Sequence, residues 1–171
     1  MIGLFTISST AMVSATNSGG HSHEQAMKEE HGNSHSSDGH KGGGHAQSTV
    51  GMPVMAGRAT KTINVDLLDS MRLDFAEHPG VKNGDIVKFV VTNKGQLPHE
   101  FSIGDKKEQA AHREMMRSMP NMKHTDGNTV SLKSGETKEL TWMFMGNKEV
   151  IFACNVAGHY DAGMHSKAMI R

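Results

Sequence analysis

One cysteine in 171 residues, Cys154, has no intramolecular partner, which excludes an internal disulfide framework and any cysteine-rich zinc knuckle. It is left as a buried inert thiol, an intermolecular bridge or a functional thiolate. Charge of one sign is missing as well, since 18 basic side chains face 18 acidic ones. Binding nucleic acid takes a basic surface that displaces counterions from phosphates, and a polybasic membrane contact takes the same excess, so neither class is supported. Trp and Tyr appear once each, whereas Met appears 14 times and His 12 times. Thioether and imidazole are both metal-ligating groups. The plainer alternative is methionine filling core gaps and histidine decorating a tail, and the arrangement along the chain has to decide.

The first 20 residues hold no charge, a short apolar run from Ile2 to Ile7 and the small-residue stretch Val13-Ser14-Ala15. This is too short and too polar for a transmembrane helix. It fits a secretory signal over 1–15, cut after Ala15, although the usual basic start is missing, and a periplasmic location is the expectation. No cysteine is present there for a lipid anchor. Residues 16–50 show no apolar periodicity. Their "GGHSHEQAMKEEHGNSHSSDGHKGGGHAQS" buries too little apolar surface to offset the entropy of ordering, so a disordered tail is expected. Its histidines, His21, His23, His31, His35, His40 and His45, either capture metal loosely or merely solvate a linker.

From about Val50 the pattern turns to short strands. Ile63, Val65 and Leu67 alternate with polar residues, and "VKNGDIVKFVVTNKGQ" places Val87, Phe89 and Val91 on one face between turns at Asn83-Gly84 and Asn93-Lys94-Gly95. "HEFSI" is a further strand. "TVSLKSGETKELTWMF" reads as two strands about Lys133-Ser134-Gly135, the second with Leu140, Trp142 and Phe144 on its core face; "EVIFAC" and "KAMIR" follow. Many short strands with glycine turns argue for a β-sandwich or barrel, assigned here to 51–171. One helix-like, Met-rich insertion interrupts it over 105–128, and Pro120 is expected to end or kink that helix near Ser118.

Cys154 closes the strand "EVIFAC", where Val150, Phe152 and Cys154 share an apolar face by period-2 alternation, so its sulfur is expected to point inward. His159 follows five positions later and Met164 five after that. Far upstream, "VTNKGQLPHEF" sets His99 directly after a strand and a proline-stiffened turn. Singly, each has a bland reading: a buried thiol, a polar loop residue, a core methionine. Together, two imidazoles, a thiolate and a weak axial thioether match the ligand set of an electron-transfer copper site, and zinc would more often take further Cys, His or carboxylate.

"NKGQLPHEF" and "FACNVAGHYDAGM" resemble the two ligand motifs of the cupredoxins, the blue-copper family that includes plastocyanin, pseudoazurin and auracyanin. More narrowly, "MRLDF…VKNGDIVKFVVTNKGQLPHEFSIG", the Met-rich insertion and "GHYDAGM" resemble the periplasmic cupredoxins of bacterial copper-resistance systems. The resemblance covers roughly residues 50–171. It implies an eight-stranded Greek-key β-sandwich and type 1 copper bound by His99 Nδ1, Cys154 Sγ, His159 Nδ1 and, weakly, Met164 Sδ. One departure is visible. Relatives often have Pro-Gly-His before the second histidine, where this chain has Ala157-Gly158-His159, which leaves the loop less restricted.

In the insertion, His112, Met115, Met116 and Met119 fall at i, i+3, i+4, i+7, with Met122 and His124 just beyond Pro120. Soft thioethers favour Cu(I) and imidazole adds competence for Cu(II), so a second copper site is one reading; the other is an amphipathic helix packing Met against the sandwich. Two functions share such a centre. One is copper tolerance, by binding and redox-cycling copper in the periplasm; the other is a soluble one-electron carrier between respiratory or photosynthetic partners. The His tail and Met insertion have no task in pure electron transfer and favour the first. An enzyme is disfavoured: Cys154 lies between Ala153 and Asn155, with no adjacent His to bridge to a trinuclear cluster. The expected partners are copper ions and redox or copper-handling proteins of the cell envelope, with the chain a monomer.

Overall fold

The computed structural model describes residues 48–120 and 127–171. The expected signal over 1–15, the six tail histidines (His21, His23, His31, His35, His40, His45), Met122 and His124 lie outside the described residues.

Nine strands and one α-helix are seen among the described residues. The first sheet has the order β1-β7-β4-β2-β3, formed by β1 (Gly51–Pro53), β2 (Lys61–Leu68), β3 (Arg72–Phe75), β4 (Ile86–Asn93) and β7 (Thr137–Phe144). The second has the order β6-β5-β8-β9, formed by β5 (His99–Gly104), β6 (Thr129–Leu132), β8 (Glu149–Ala153) and β9 (His165–Met169). Pairing is antiparallel except between β2 and β4, whose register runs from Lys61 opposite Val87 to Leu67 opposite Asn93. The count exceeds the expected eight because the three-residue β1 joins the edge of β7. There Gly51 has φ +141, and a Cβ on it would lie 2.0 Å from the Met143 carbonyl oxygen, so only glycine lets β1 approach so closely.

Period-2 alternation places the core. Ile63, Val65 and Leu67 of β2 and Val87, Phe89 and Val91 of β4 are buried, as are Leu140, Trp142 and Phe144 of β7. Against them the second sheet sets Phe101, Ile103, Val150 and Phe152. Phe89 lies 5.3 Å from Phe101 and 5.6 Å from Phe152, ring centroid to centroid, and Phe101 stacks on Phe152 at 5.8 Å. Each such pair contributes about 0.5–1.5 kcal/mol beyond its buried area. Trp142 lies within this core and donates its Nε1–H to the Val50 carbonyl at 3.2 Å.

All six residues of β5 are buried, because both of its faces are covered. His99, Phe101 and Ile103 face one way, Phe101 and Ile103 packing into the core; Glu100 and Ser102 face the other way, beneath α1 (Lys106–Ser118). A capping box starts α1: Asp105 accepts from the Glu108 N–H at 2.9 Å, and Glu108 accepts from the Asp105 N–H at 2.6 Å. It stops at Ser118, as Pro120 predicts, with Met119 at φ −134, ψ 66, outside the helical region. Gln109 anchors α1 to the second sheet by donating to the carbonyls of Ser102 and Ile151 at 3.2 and 3.0 Å. The helix α1 therefore packs as a covering layer over β5 and β8.

Candidate metal centre

Two strand ends and one loop meet at one end of the sandwich. Asn93, at the end of β4, ties the following loop together: its amide donates to the carbonyls of Leu97 and Leu132 at 2.8 and 3.3 Å and its oxygen accepts from the Gly95 N–H at 2.9 Å. That loop delivers His99 to the start of β5, 1% exposed. Cys154 follows β8 with its sulfur fully buried, as the alternation predicts. Its Sγ lies 4.0 Å from His99 Nδ1 and 3.4 Å from His159 Nδ1. The ligand atoms of His99, Cys154 and His159 all lie within 4.8 Å of one another, a spacing an ion can bridge. The fourth expected residue, Met164, is fully buried beside them, its carbonyl accepting the Cys154 N–H at 3.0 Å and its own N–H donating to the His159 carbonyl at 3.0 Å.

The polar surroundings suit a thiolate and an oriented imidazole. The Glu100 backbone N–H points at Cys154 Sγ at 3.3 Å. Burial nonetheless pushes the metal-free thiol up from 9.0 to about 12, although the Glu100 and Val156 amides pull the other way. A metal ion must therefore displace a proton on binding. Burial, with the His99 charge behind it, also pushes His159 below its ordinary value, which keeps that imidazole neutral and ready to ligate. His99 is fixed from the far side, Nε2 lying 3.0 Å from Asp69 Oδ1. The Asp69 carboxylate also accepts the Gln96 and Leu97 N–H groups at 2.7 and 3.2 Å, and these contacts hold it below its usual range, the Gln96 amide foremost. A carboxylate on Nε2 leaves Nδ1 to face the sulfur.

Sequence reasoning missed Asp69 and Glu100. Asp69 stands in the β2–β3 turn, 30 positions before His99, and no local pattern marks it. Glu100 is 1% exposed, its carboxylate held by the Ser131 hydroxyl at 3.0 Å and by His112 Nε2 at 3.2 Å. The adjacency "HE" was visible in the sequence, but burial of the Glu beneath α1 was not.

The residues expected for a second site divide. His112 turns toward Glu100 and Met116 is 3% exposed, lining a cavity of about 410 Å³ with His99, Glu100, Ser131 and Lys138. Met115 is half-buried and Met119 is 45% exposed. The helix thus presents His112 and Met116 inward and Met119 to solvent.

Two stacked sheets with a Cys–His–His cluster at one end define the cupredoxin type of β-sandwich. Auracyanin of Roseiflexus castenholzii superposes on this fold with a TM-score of 0.57 at 19% identity, over 66% of this chain and 98% of that one. No family model matches the chain. The copper-resistant cuproprotein CopI of Vibrio cholerae is 48% identical over 122 residues, 71% of this chain and 72% of that protein. CopI of Rubrivivax gelatinosus is 36% identical over 152 residues, 89% and 85% of the two chains. The chain belongs to the CopI family of copper-resistant cuproproteins.

Proposed function

We propose that the chain is a periplasmic copper-binding protein of copper tolerance, holding type 1 copper through His99, Cys154, His159 and Met164. The observation that supports this most is the convergence of two imidazole nitrogens and one buried sulfur within 4.8 Å, with Met164 buried beside them. This mixture of nitrogen, thiolate and thioether suits copper better than zinc or a hard cation. Bound there, copper supplies a one-electron Cu(I)/Cu(II) couple. The chain's own part is to bind and orient: Asp69 fixes the His99 ring, the Glu100 amide points at the sulfur, and the core excludes water from Cys154. His159 is half-buried, which leaves its edge as the way in for metal or electrons.

Further copper is taken up, on this reading, by the Met/His-rich insertion, with His112, Met115, Met116, Met119, Met122 and His124 as its candidate donors, and loosely by the tail histidines. The role is capture and redox-cycling of copper, with no substrate turned over. Membership of a copper-resistance family supports tolerance over a pure electron carrier.

The test is titration of the full chain with Cu(II), followed by visible absorption and metal counting, beside Cys154→Ser and a variant with the six tail histidines replaced by serine. An intense thiolate-to-copper band at one equivalent, absent in Cys154→Ser, is expected. Copper beyond one equivalent in the tail variant points to the insertion and tolerance, whereas one equivalent alone favours the electron carrier. No band in the parent would overturn the centre.

A further inference from the structure

The loop that carries His159 and Met164 is turned by its own backbone, the Ala162 and Gly163 N–H groups donating to the Gly158 and Tyr160 carbonyls at 3.0 and 2.9 Å. Ala157 and Gly158 stand where a proline-bearing loop would be stiffer, and Gly158 and Gly163 have φ of +84 and +104. Side chains of α1 add a brace from outside the loop. Gln109, Arg113 and Arg117 lie at i, i+4, i+8 along one ridge of α1, and each reaches the loop. Gln109, 1% exposed and anchored to the second sheet, accepts from the Asn155 amide at 2.7 Å. The Arg113 guanidinium lies 3.7 Å from the centre of the Tyr160 ring. His165 stacks on the same ring at 4.3 Å and 14°. Two planar groups at those distances do not fit on one face, so Tyr160 is held between them. Arg117 pairs with Asp161 at 3.4 Å, both exposed.

The pattern in the chain is regular. Asn155 follows Cys154, Tyr160 follows His159, and His165 follows Met164. Each of these three ligand positions is succeeded by a residue of the brace that starts on α1. The Arg113–Tyr160–His165 stack also closes the loop on itself, joining the residue after His159 to the residue after Met164.

We propose that α1 is a splint for the metal-binding loop, with Gln109 and Arg113 as positioning residues that set His159 and Met164 relative to Cys154. The inference rests on the assignment of those residues as copper ligands. The Met-rich helix and the type 1 centre are then one mechanical unit.

Arg113→Met tests it, since it removes the cation and keeps much of the volume. With one equivalent of Cu(II), the variant is expected to show an altered intensity ratio of its thiolate-to-copper bands and roughly tenfold weaker copper binding. Copper-free, it should exchange the amide hydrogens of residues 156–164 faster than the parent. Tyr160→Leu should reproduce the change and add little in the double variant, because both remove the same contact. Tyr160→Phe, which keeps the ring, should match the parent. If Arg113→Met does not fold, Arg113→Lys takes its place: it keeps the charge and loses the planar fork, and a smaller spectral change is expected. A lowered melting temperature with unchanged band ratio, affinity and loop exchange would reduce α1 to packing and overturn the proposal. A parent lacking any band that Cys154→Ser abolishes would instead remove the ligand assignment beneath it, and the copper-free exchange data separate the two failures.

Discussion

If His99 is a copper ligand as proposed, Asp69 separates holding the metal from holding the fold, because it touches His99 yet sits in an exposed turn outside the core. Outer partners of ligating histidines set ring orientation and basicity, and losing one typically weakens metal binding 10–100-fold. Asp69→Ala is accordingly expected to weaken copper binding by about that factor, read by competition against a chelator of known affinity, with the core unfolding cooperatively as before. Asp69→Asn, which keeps an oxygen for the His99 N–H, should lose less. Equal affinity in the parent and Asp69→Ala would show that His99 is oriented by its buried setting alone. Cys154 gives a second prediction at this scale. In the copper-free protein the native thiol keeps its proton up to about pH 12, whereas in the unfolded chain it ionises near 9.0. Above pH 9 the unfolded state therefore binds fewer protons than the native one, and stability falls as pH rises from 9 to 12. Denaturant melts across that window should show this loss in the parent relative to Cys154→Ser. Parallel curves would mean that the native thiol is not raised.

At the scale of the element, α1 depends on its first turn. Asp105→Ala removes the acceptor for the Glu108 N–H and should cost about 1 kcal/mol in urea unfolding. The pH dependence has the opposite sign to that of Cys154. Partial burial raises the Asp105 pKa, but the Glu108 amide, the Thr49 hydroxyl and the Lys107 amide outweigh it and leave the carboxyl below its ordinary value. Its contribution is complete above that ordinary value and fades as pH falls through the lowered one, so the gap between parent and Asp105→Ala should shrink in acid. A gap independent of pH would mean that the cap does not act through its charge. The elements also show what could be read beforehand. β2, β4 and β7 were legible because one face of each is buried and alternation follows. The end of α1 was legible because Pro120 forces it. β1 and β3 were not: β1 is three residues made strand by pairing with β7, and β3 alternates, with Leu73 and Phe75 turned to the core, over only four residues, too few to stand out as a pattern. The same division holds at the site. Cys154, His159 and Met164 stand close in sequence and His99 sits in a recognisable turn, whereas Asp69, Glu100 and the Arg113–Tyr160 contact join segments 30 to 54 positions apart or depend on the packing of α1.

Over the whole molecule, copper held by the proposed ligands is a cross-link. His99 and Cys154 are 55 positions apart, at the start of β5 and just past the end of its neighbour β8 in the second sheet, and Asp69 ties His99 to the β2–β3 turn of the first. In the unfolded chain His99 is lost from the set, so copper binds the native state more tightly and must stabilise it by mass action. At free copper about 100 times the Kd, that stabilisation is about 2.7 kcal/mol. The unfolded chain keeps the local trio Cys154, His159 and Met164 and the tail histidines, which lowers the observed figure below that limit. Urea unfolding of the full chain with Cu(I) buffered by a chelator should show a midpoint that rises with the logarithm of free copper at an unchanged slope, because the same surface is exposed. Cys154→Ser should lose most of that rise. Replacing Met115 and Met119 together should leave it nearly intact, since both sit at the rim of α1 and neither links strands. If copper stabilises Cys154→Ser as strongly as the parent, the dominant metal lies outside the His99–Cys154–His159 cluster, and the sandwich supports the site without being clamped by it.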